Sequence, residues 1–204
     1  MKVKQIKIDF NVTPEIKRFV YVYLITTKTS CILVDSGVYG SQEVIEKAIT
    51  ESGHRPEEVK AVFLTHAHPD HIGTAHYFRE KYGAKIYAGE GERPWIEDID
   101  RQFRERPILV DLEDSRKSLE TLKNLKNVRT FYPAWDQTYS VEIMRQKIKD
   151  ARDLLEELEK TVHDIDDGRE LSELAGKVCE CLHAPMWKKN PLFATTVACC
   201  RKEK

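Results

Sequence analysis

The segment THAHPDHIGT, Thr65 to Thr74, gathers three of the chain's seven histidines and one aspartate into six residues. His66 and His68 are two apart, so in an extended segment both imidazoles point the same way and reach one ion. Pro69 cannot continue a strand ladder and suits the first turn of a helix. Asp70 and His71 then stand at that helix start, beside the first pair. Three neutral nitrogen donors and a carboxylate suit zinc, and iron or manganese less decisively. His66 and His68 on one ion and Asp70 and His71 on a second would form half of a two-metal centre. Ions held roughly 3.5–4 Å apart in such a centre acidify a shared water and polarise a carbonyl or phosphoryl oxygen. A single histidine at a strand end is usually an ordinary surface residue. Four donor residues in this register, after an apolar strand and before a helix, are hard to explain that way.

The elements that must position this segment are legible around it. Lys2 to Phe10 alternates polar and apolar residues as a strand does. Phe19 to Thr26 is rich in β-branched and aromatic residues, and Cys31 to Val34 follows after a short polar turn, so antiparallel neighbours are expected at the start of a sheet. DSGVYGS then breaks the pattern. Ser41 is placed to cap a helix running to about Ser52, with Val44, Ile45 and Ala48 on its buried face. Val59 to Thr65 is a short apolar run expected as a buried strand, from whose end the histidine segment leaves. A helix from about Asp70 to Tyr82, closed by Gly83, and a strand over AKIYA complete the first half.

The second half changes character, with no glycine between Glu92 and Asp167. Helices are expected over Ser115 to Leu125, Val141 to Ile165 and Arg169 to Leu182. Asn190-Pro191 suits the opening of a final short helix. Only Ile108 to Val110 and Val128 to Tyr132 read as strands there. One domain over 1–204 is expected, with a sandwich to about 135 and a helical extension from about 140.

THAHPDH resembles the His-x-His-x-Asp-His signature of the metallo-β-lactamase superfamily. LVDSG, Leu33 to Gly37, is similar to that family's early strand and aspartate-glycine turn, and the Ala75 to Tyr82 helix followed by GAKIYA fits as well. The resemblance is specific over about residues 18 to 90. It implies an α/β fold of the αββα sandwich type with metal at one edge. It also implies hydrolytic chemistry of the glyoxalase II, lactonase and β-lactamase kind. The second motif position is histidine rather than glutamate, which is unlike the flavo-diiron oxygen reductases. Carried over residue by residue, His66, His68, Asp70 and His71 bind one or two metal ions. Asp70 also orients the attacking water or accepts its proton, and Asp35 is a supporting partner behind the ligands. For Asp35, a turn aspartate capping backbone amides is the competing account.

The family's later Gly-His-Ser/Thr turn and its bridging aspartate in a Gly-Asp turn do not occur as motifs in this sequence. FYPAWD, Phe131 to Asp136, resembles the family's terminal strand and turn, but Trp135 stands where a histidine is expected. DSRKSLETLKNL resembles the helix that follows the bridging aspartate. The sequence thus jumps, near Pro107 to Val110, from one part of the family pattern to a later one. The second sheet should therefore be thin, with edges that dimerisation or strand exchange would cover. Asp111, Glu113, Asp136, His163 and His183 are candidate late donors, each with solvated surface as the simpler account. His76 reads as structural, and Trp135 and Tyr139 as core before pocket. CECLH with Cys199-Cys200 lacks a Cys-x-x-Cys pair, and buried free cysteines explain it better than zinc.

The bulk numbers frame these expectations. A chain of 204 residues, 41% hydrophobic and 33% charged, carries a real core and is not of disordered composition. With 33 basic and 34 acidic residues it has no basic footprint calling for nucleic acid, and no apolar run of membrane-spanning length. The first residues lack the apolar core of a signal peptide and the five cysteines are odd in number, so reduced thiols and a cytoplasmic protein acting on a small molecule are expected. Two functions compete: a zinc-dependent hydrolase of an ester, thioester or lactone/lactam carbonyl, with a phosphoester as a further substrate class, and a catalytically impaired relative serving as a binding or assembly module.

Overall fold

The computed structural model describes residues 1–11, 17–98, 112–134, 136–185 and 191–201. The chain divides into two compact units, Met1–Arg106 with Pro133–Gln137, and Pro107–Tyr132 with Thr138–Lys204.

In the first unit, apolar residues at alternate positions make β1 (Lys2–Asn11), whose Ile6 and Ile8 turn inward. β2 (Lys17–Thr26) pairs antiparallel with it from Lys2↔Thr26 to Asn11↔Lys17. β3 (Cys31–Val34) is antiparallel to β2. β4 (Val59–Leu64) and β5 (Lys85–Ala88) are added in parallel, so the sheet order is β1-β2-β3-β4-β5. Parallel neighbours need crossovers. α1 (Gln42–Glu51) joins β3 to β4, and α2 (Pro69–Ile72) and α3 (Ala75–Tyr82) join β4 to β5. The helices bury one sheet face: Ile45, Ala48, Ile49 and Phe78 close over Ile8, Val22, Leu24, Leu33 and Val62. On β4 and β5, Phe63 and Tyr87 stack with ring centroids 4.8 Å apart and remain 43% and 45% exposed. A last segment returns to β2, where Tyr21 N–H donates to Ala134 O at 2.8 Å and Tyr23 O–H to Pro133 O. A short helix α4 (Arg93–Glu97) follows β5.

The second unit is mostly helical. α5 (Leu112–Lys123), α6 (Val141–Ile165), α7 (Leu171–Cys181) and α8 (Pro191–Cys200) share a core of Leu112, Leu158, Val162, Leu174, Val178, Phe193 and Val197. The α6 bounds are those that its apolar spacing predicts, and Ser140 Oγ caps it by accepting from Ile143 N–H. β6 (Thr130–Phe131) and β7 (Tyr139–Ser140) form the small second sheet. The fold class is α/β with the second sheet reduced, among the described residues, to two short strands, as the sequence implied.

Several local expectations are corrected. Val44 is 47% exposed, and Ile49 takes the inward place beside Ile45 and Ala48. Ser41 precedes α1 but its hydroxyl donates to Val38 O instead of capping the helix. The helix expected from Asp70 to Tyr82 is two, broken at Gly73 and Thr74. Strand character within Val128 to Tyr132 contracts to Thr130–Phe131. Ile108 to Val110, Asp111, Trp135 and Asn190 lie outside the described residues. Among the described residues no helix is long and apolar enough to cross a membrane.

Candidate metal centre

β3 and β4 run parallel and end side by side. The chain turns at each end, which is where open α/β sheets place their ligands. After β3, Asp35 takes a left-handed conformation, φ 58°, which aspartate tolerates better than most residues. Its backbone N–H donates to Phe63 O at 2.8 Å, and its carboxylate, 3% exposed as a residue, turns toward the end of β4. There it accepts from Thr65 N–H at 2.8 Å, from the Thr65 hydroxyl at 2.9 and 3.0 Å, and from His71 Nδ1 at 2.8 Å.

These bonds fix which face of each imidazole looks inward. The single hydroxyl proton of Thr65 goes to Asp35, so Thr65 Oγ1 accepts from His66 Nδ1–H, 3.0 Å away. Nε2 of His66 is then the lone-pair nitrogen. His71, fully buried, gives its Nδ1 proton to Asp35 and likewise keeps Nε2 for a ligand. One buried carboxylate thus sets the tautomer of two histidines, the arrangement found behind metal-bound imidazoles.

The donors converge. The His66 ring centroid is 4.0 Å from that of His71 and 4.5 Å from that of His68, and His66 Nε2 lies 2.9 Å from His68 Nδ1. Asp70 Oδ2 is 3.7 Å from His71 Nε2. Burial, then the nearby His71 and His68, push the His66 pKa down to about 4, so this imidazole is neutral at ordinary pH and available to a cation. Three imidazoles and a carboxylate, with two rings pre-set as Nε2 donors, fit a divalent ion of the zinc class.

The backbone holds the loop in register. Ser36 N–H and Oγ–H both donate to His71 O, at 2.7 and 2.9 Å. Gly73 N–H donates to Gly37 O at 2.8 Å, and the Thr74 hydroxyl to Ser36 O at 2.7 Å. A Cβ on Gly73 would stand 2.2 Å from Tyr39 N and Val38 C, so only glycine permits this approach. Pro69 opens α2 as the sequence predicts.

The structure brings His66, His68, Asp70 and His71 together, with Asp35 behind them. Glu92, which the sequence did not suggest, accepts from Ala67 N–H at 2.7 Å and braces the ligand loop from beyond β5. Nothing in its sequence context signals this, because the two residues are 25 positions apart. His76 is exposed and bonded to Arg79 on its own helix. Glu113, His163 and His183 are residues of the second unit outside its core, and Asp136 is exposed with Oδ1 accepting from Gln137 N–H. Cys179 and Cys200 are buried cysteines outside any disulfide, and Tyr139 is a buried core residue.

An α/β sheet carrying a His-x-His-x-Asp-His turn at its carboxyl edge defines a class of metal-binding hydrolase folds. Residues 16–141 match the profile of the metallo-beta-lactamase superfamily, and the chain belongs to that superfamily. It is 36% identical over 76 residues to "Probable metallo-hydrolase YqgX" of Bacillus subtilis, a match that spans 37% of this chain and 34% of that protein. It is 38% identical over 68 residues to "Exodeoxyribonuclease WalJ" of Streptococcus pneumoniae, 33% of this chain and 24% of the other. These matches therefore span about a third or less of the relatives' lengths. The metallo-beta-lactamase family protein TTHA1429 from Thermus thermophilus superposes with a TM-score of 0.68 over 97% of this chain and 91% of that one. At 16% identity this likeness shows the fold.

Proposed function

We propose that this chain is a metal-dependent hydrolase of an ester, thioester or lactone/lactam carbonyl, using zinc held by His66, His68, Asp70 and His71. The observation that carries this reading is the convergence of the three rings under a hydrogen-bond scheme in which Thr65 and Asp35 hold the Nδ1 atoms of His66 and His71 and so leave their Nε2 atoms as the lone-pair nitrogens. Bound there, a zinc-class ion would acidify a water and polarise the scissile carbonyl. The chain's own residues supply the rest. Asp70 borders both the His71 nitrogen and an adjoining cleft of about 720 Å³, where its carboxylate can orient a water and take its proton. Phe10, Phe19 and Val38 wall that cleft, and Lys17 and Arg18 line it. Apolar walls with two cations suit a substrate with an apolar body and an anionic group.

A second reading, a non-catalytic binding or assembly module, draws support from the missing Gly-His-Ser/Thr and Gly-Asp turns. The pneumococcal relative's name adds a phosphodiester as a substrate class to include in the test. The deciding experiment is metal content per chain, for protein purified without chelator, alongside turnover on lactones, thioesters and a phosphodiester. Bound metal with carbonyl-substrate turnover that falls at least ~100-fold in His68→Ala supports the hydrolase. Protein that binds no metal and turns over nothing is the module.

A further inference from the structure

The first unit holds a second group of metal-type donors at the other end of its sheet. Cys31 opens β3, and His54 and Glu58 lie in the turn that leads into β4. Cys31 pairs in register with Val59, the first residue of β4, whereas Asp35 and Thr65 follow the last residues of these strands. The six residues of β4 set the two ends roughly 20 Å apart. One ligand atom from each of Cys31, His54 and Glu58 lies within 4.8 Å of the others.

We propose that Cys31, His54 and Glu58 form a second metal site, taking a zinc-class divalent cation through the Cys31 sulfur, a His54 ring nitrogen and a Glu58 carboxylate oxygen. Three protein donors of mixed sulfur, nitrogen and oxygen type, with water in the fourth position, are a combination that zinc accepts and magnesium or calcium do not. Donors on a tetrahedral zinc stand roughly 3.3–3.8 Å apart, given zinc–donor bonds of roughly 2.0–2.3 Å. Side-chain adjustments on the order of 1 Å, which also part the His54–Glu58 pair, therefore fit the group around an ion.

The surroundings favour this. Cys31 is fully buried, and the His54 and Glu58 side chains are 11% and 25% exposed, so an ion enters from the Glu58 side and finds the sulfur at the base. Glu58 is already oriented. Arg55 Nε–H donates to Oε1 at 3.2 Å, while Oε2 lies 2.7 Å from His54 Nδ1. Arg55 itself is 77% exposed, so solvent screens its charge beside Glu58. On binding, the Cys31 thiol loses its proton to solvent. Thiolate, carboxylate and divalent cation then sum to zero charge, which makes burial tolerable. The competing account is a His54–Glu58 pair that only staples the turn, beside a cysteine that only fills the core. The proposal does not rest on the hydrolase reading, because the His66 to His71 site contains no sulfur.

Cobalt(II) titration of the metal-free chain tests it, because thiolate-to-cobalt charge transfer absorbs in the near ultraviolet and imidazole–carboxylate sites lack that band. The band is expected in the wild type and in His68→Ala, and is expected to vanish in Cys31→Ala. His54→Gln and Glu58→Gln change partly exposed residues, so they keep the test valid if Cys31→Ala misfolds. Each should weaken the affinity read from the band at least ~10-fold. A wild type without the band, a band that survives Cys31→Ala, or unchanged affinity in both glutamine variants overturns the proposal.

Discussion

At the scale of residues, the candidate site depends on Asp35 as much as on its four donors. Asp35 receives Thr65 N–H, the Thr65 hydroxyl and His71 Nδ1, and through them orients two imidazoles. An asparagine in its place would keep the size and the tolerance for left-handed backbone but replace one acceptor oxygen by a donor. Asp35→Asn is therefore expected to leave a folded chain with zinc affinity reduced about 10–100-fold, measured by competition with a chromophoric chelator. A wild-type affinity would show that the tautomers are set by something else. The grouping of the four candidate donors was legible in the sequence because their geometry is local: a two-residue spacing, a proline and a helix start. Asp35 was legible only through the family's aspartate-glycine turn. Glu92 was not, because its bond to Ala67 N–H depends on how the chain folds back after β5.

At the scale of elements, α1 and α3 are joined by one carboxylate. Glu46 accepts from Tyr77 O–H at 2.6 Å, from Tyr82 O–H and from Lys81 Nζ–H. Burial pushes the Glu46 pKa up, but these hydrogen bonds and the Lys81 charge outweigh it and hold the carboxyl below its usual value. Burial and the bond to Glu46 push the Tyr82 phenol up to about 12. A carboxyl with a depressed folded-state pKa stabilises the fold above its unfolded-state pKa, and that contribution is lost as pH falls through the folded value. Glu46→Gln should then cost about 1 kcal/mol at pH 7 and progressively less toward pH 3, read from urea unfolding at each pH. A cost independent of pH would assign the effect to packing. The strands were legible from alternation and β-branched composition. The break between α2 and α3 was not, because helical periodicity runs through it and its cause is a close backbone approach at Gly73. Val44 was misplaced for a related reason: on a short amphipathic helix the choice between Val44 and Ile49 depends on the angle at which the helix meets the sheet.

At the scale of the whole molecule, two units with separate cores should unfold as two transitions, and only a unit that binds a ligand is stabilised by it. Zinc at ~100-fold its dissociation constant adds about 2.7 kcal/mol to the unit that holds it. Calorimetry is expected to show one transition rising by several degrees with zinc and the other unmoved. Equal shifts of both would mean that the units unfold together. The helical second half was legible in its long, regularly spaced α6 and in a boundary near 135 to 140, while the place of α5 in that unit was not, because the contacts that set it are distant in sequence. The loop carrying the histidines is fastened to the turn after β3 by Ser36 and Gly37, whereas Val38 borders the cleft and the side chain of the next residue, Tyr39, projects into solvent at 92% exposure. Heritable variation at Val38 can therefore redraw what the cleft admits while the candidate cation seat stays as it was.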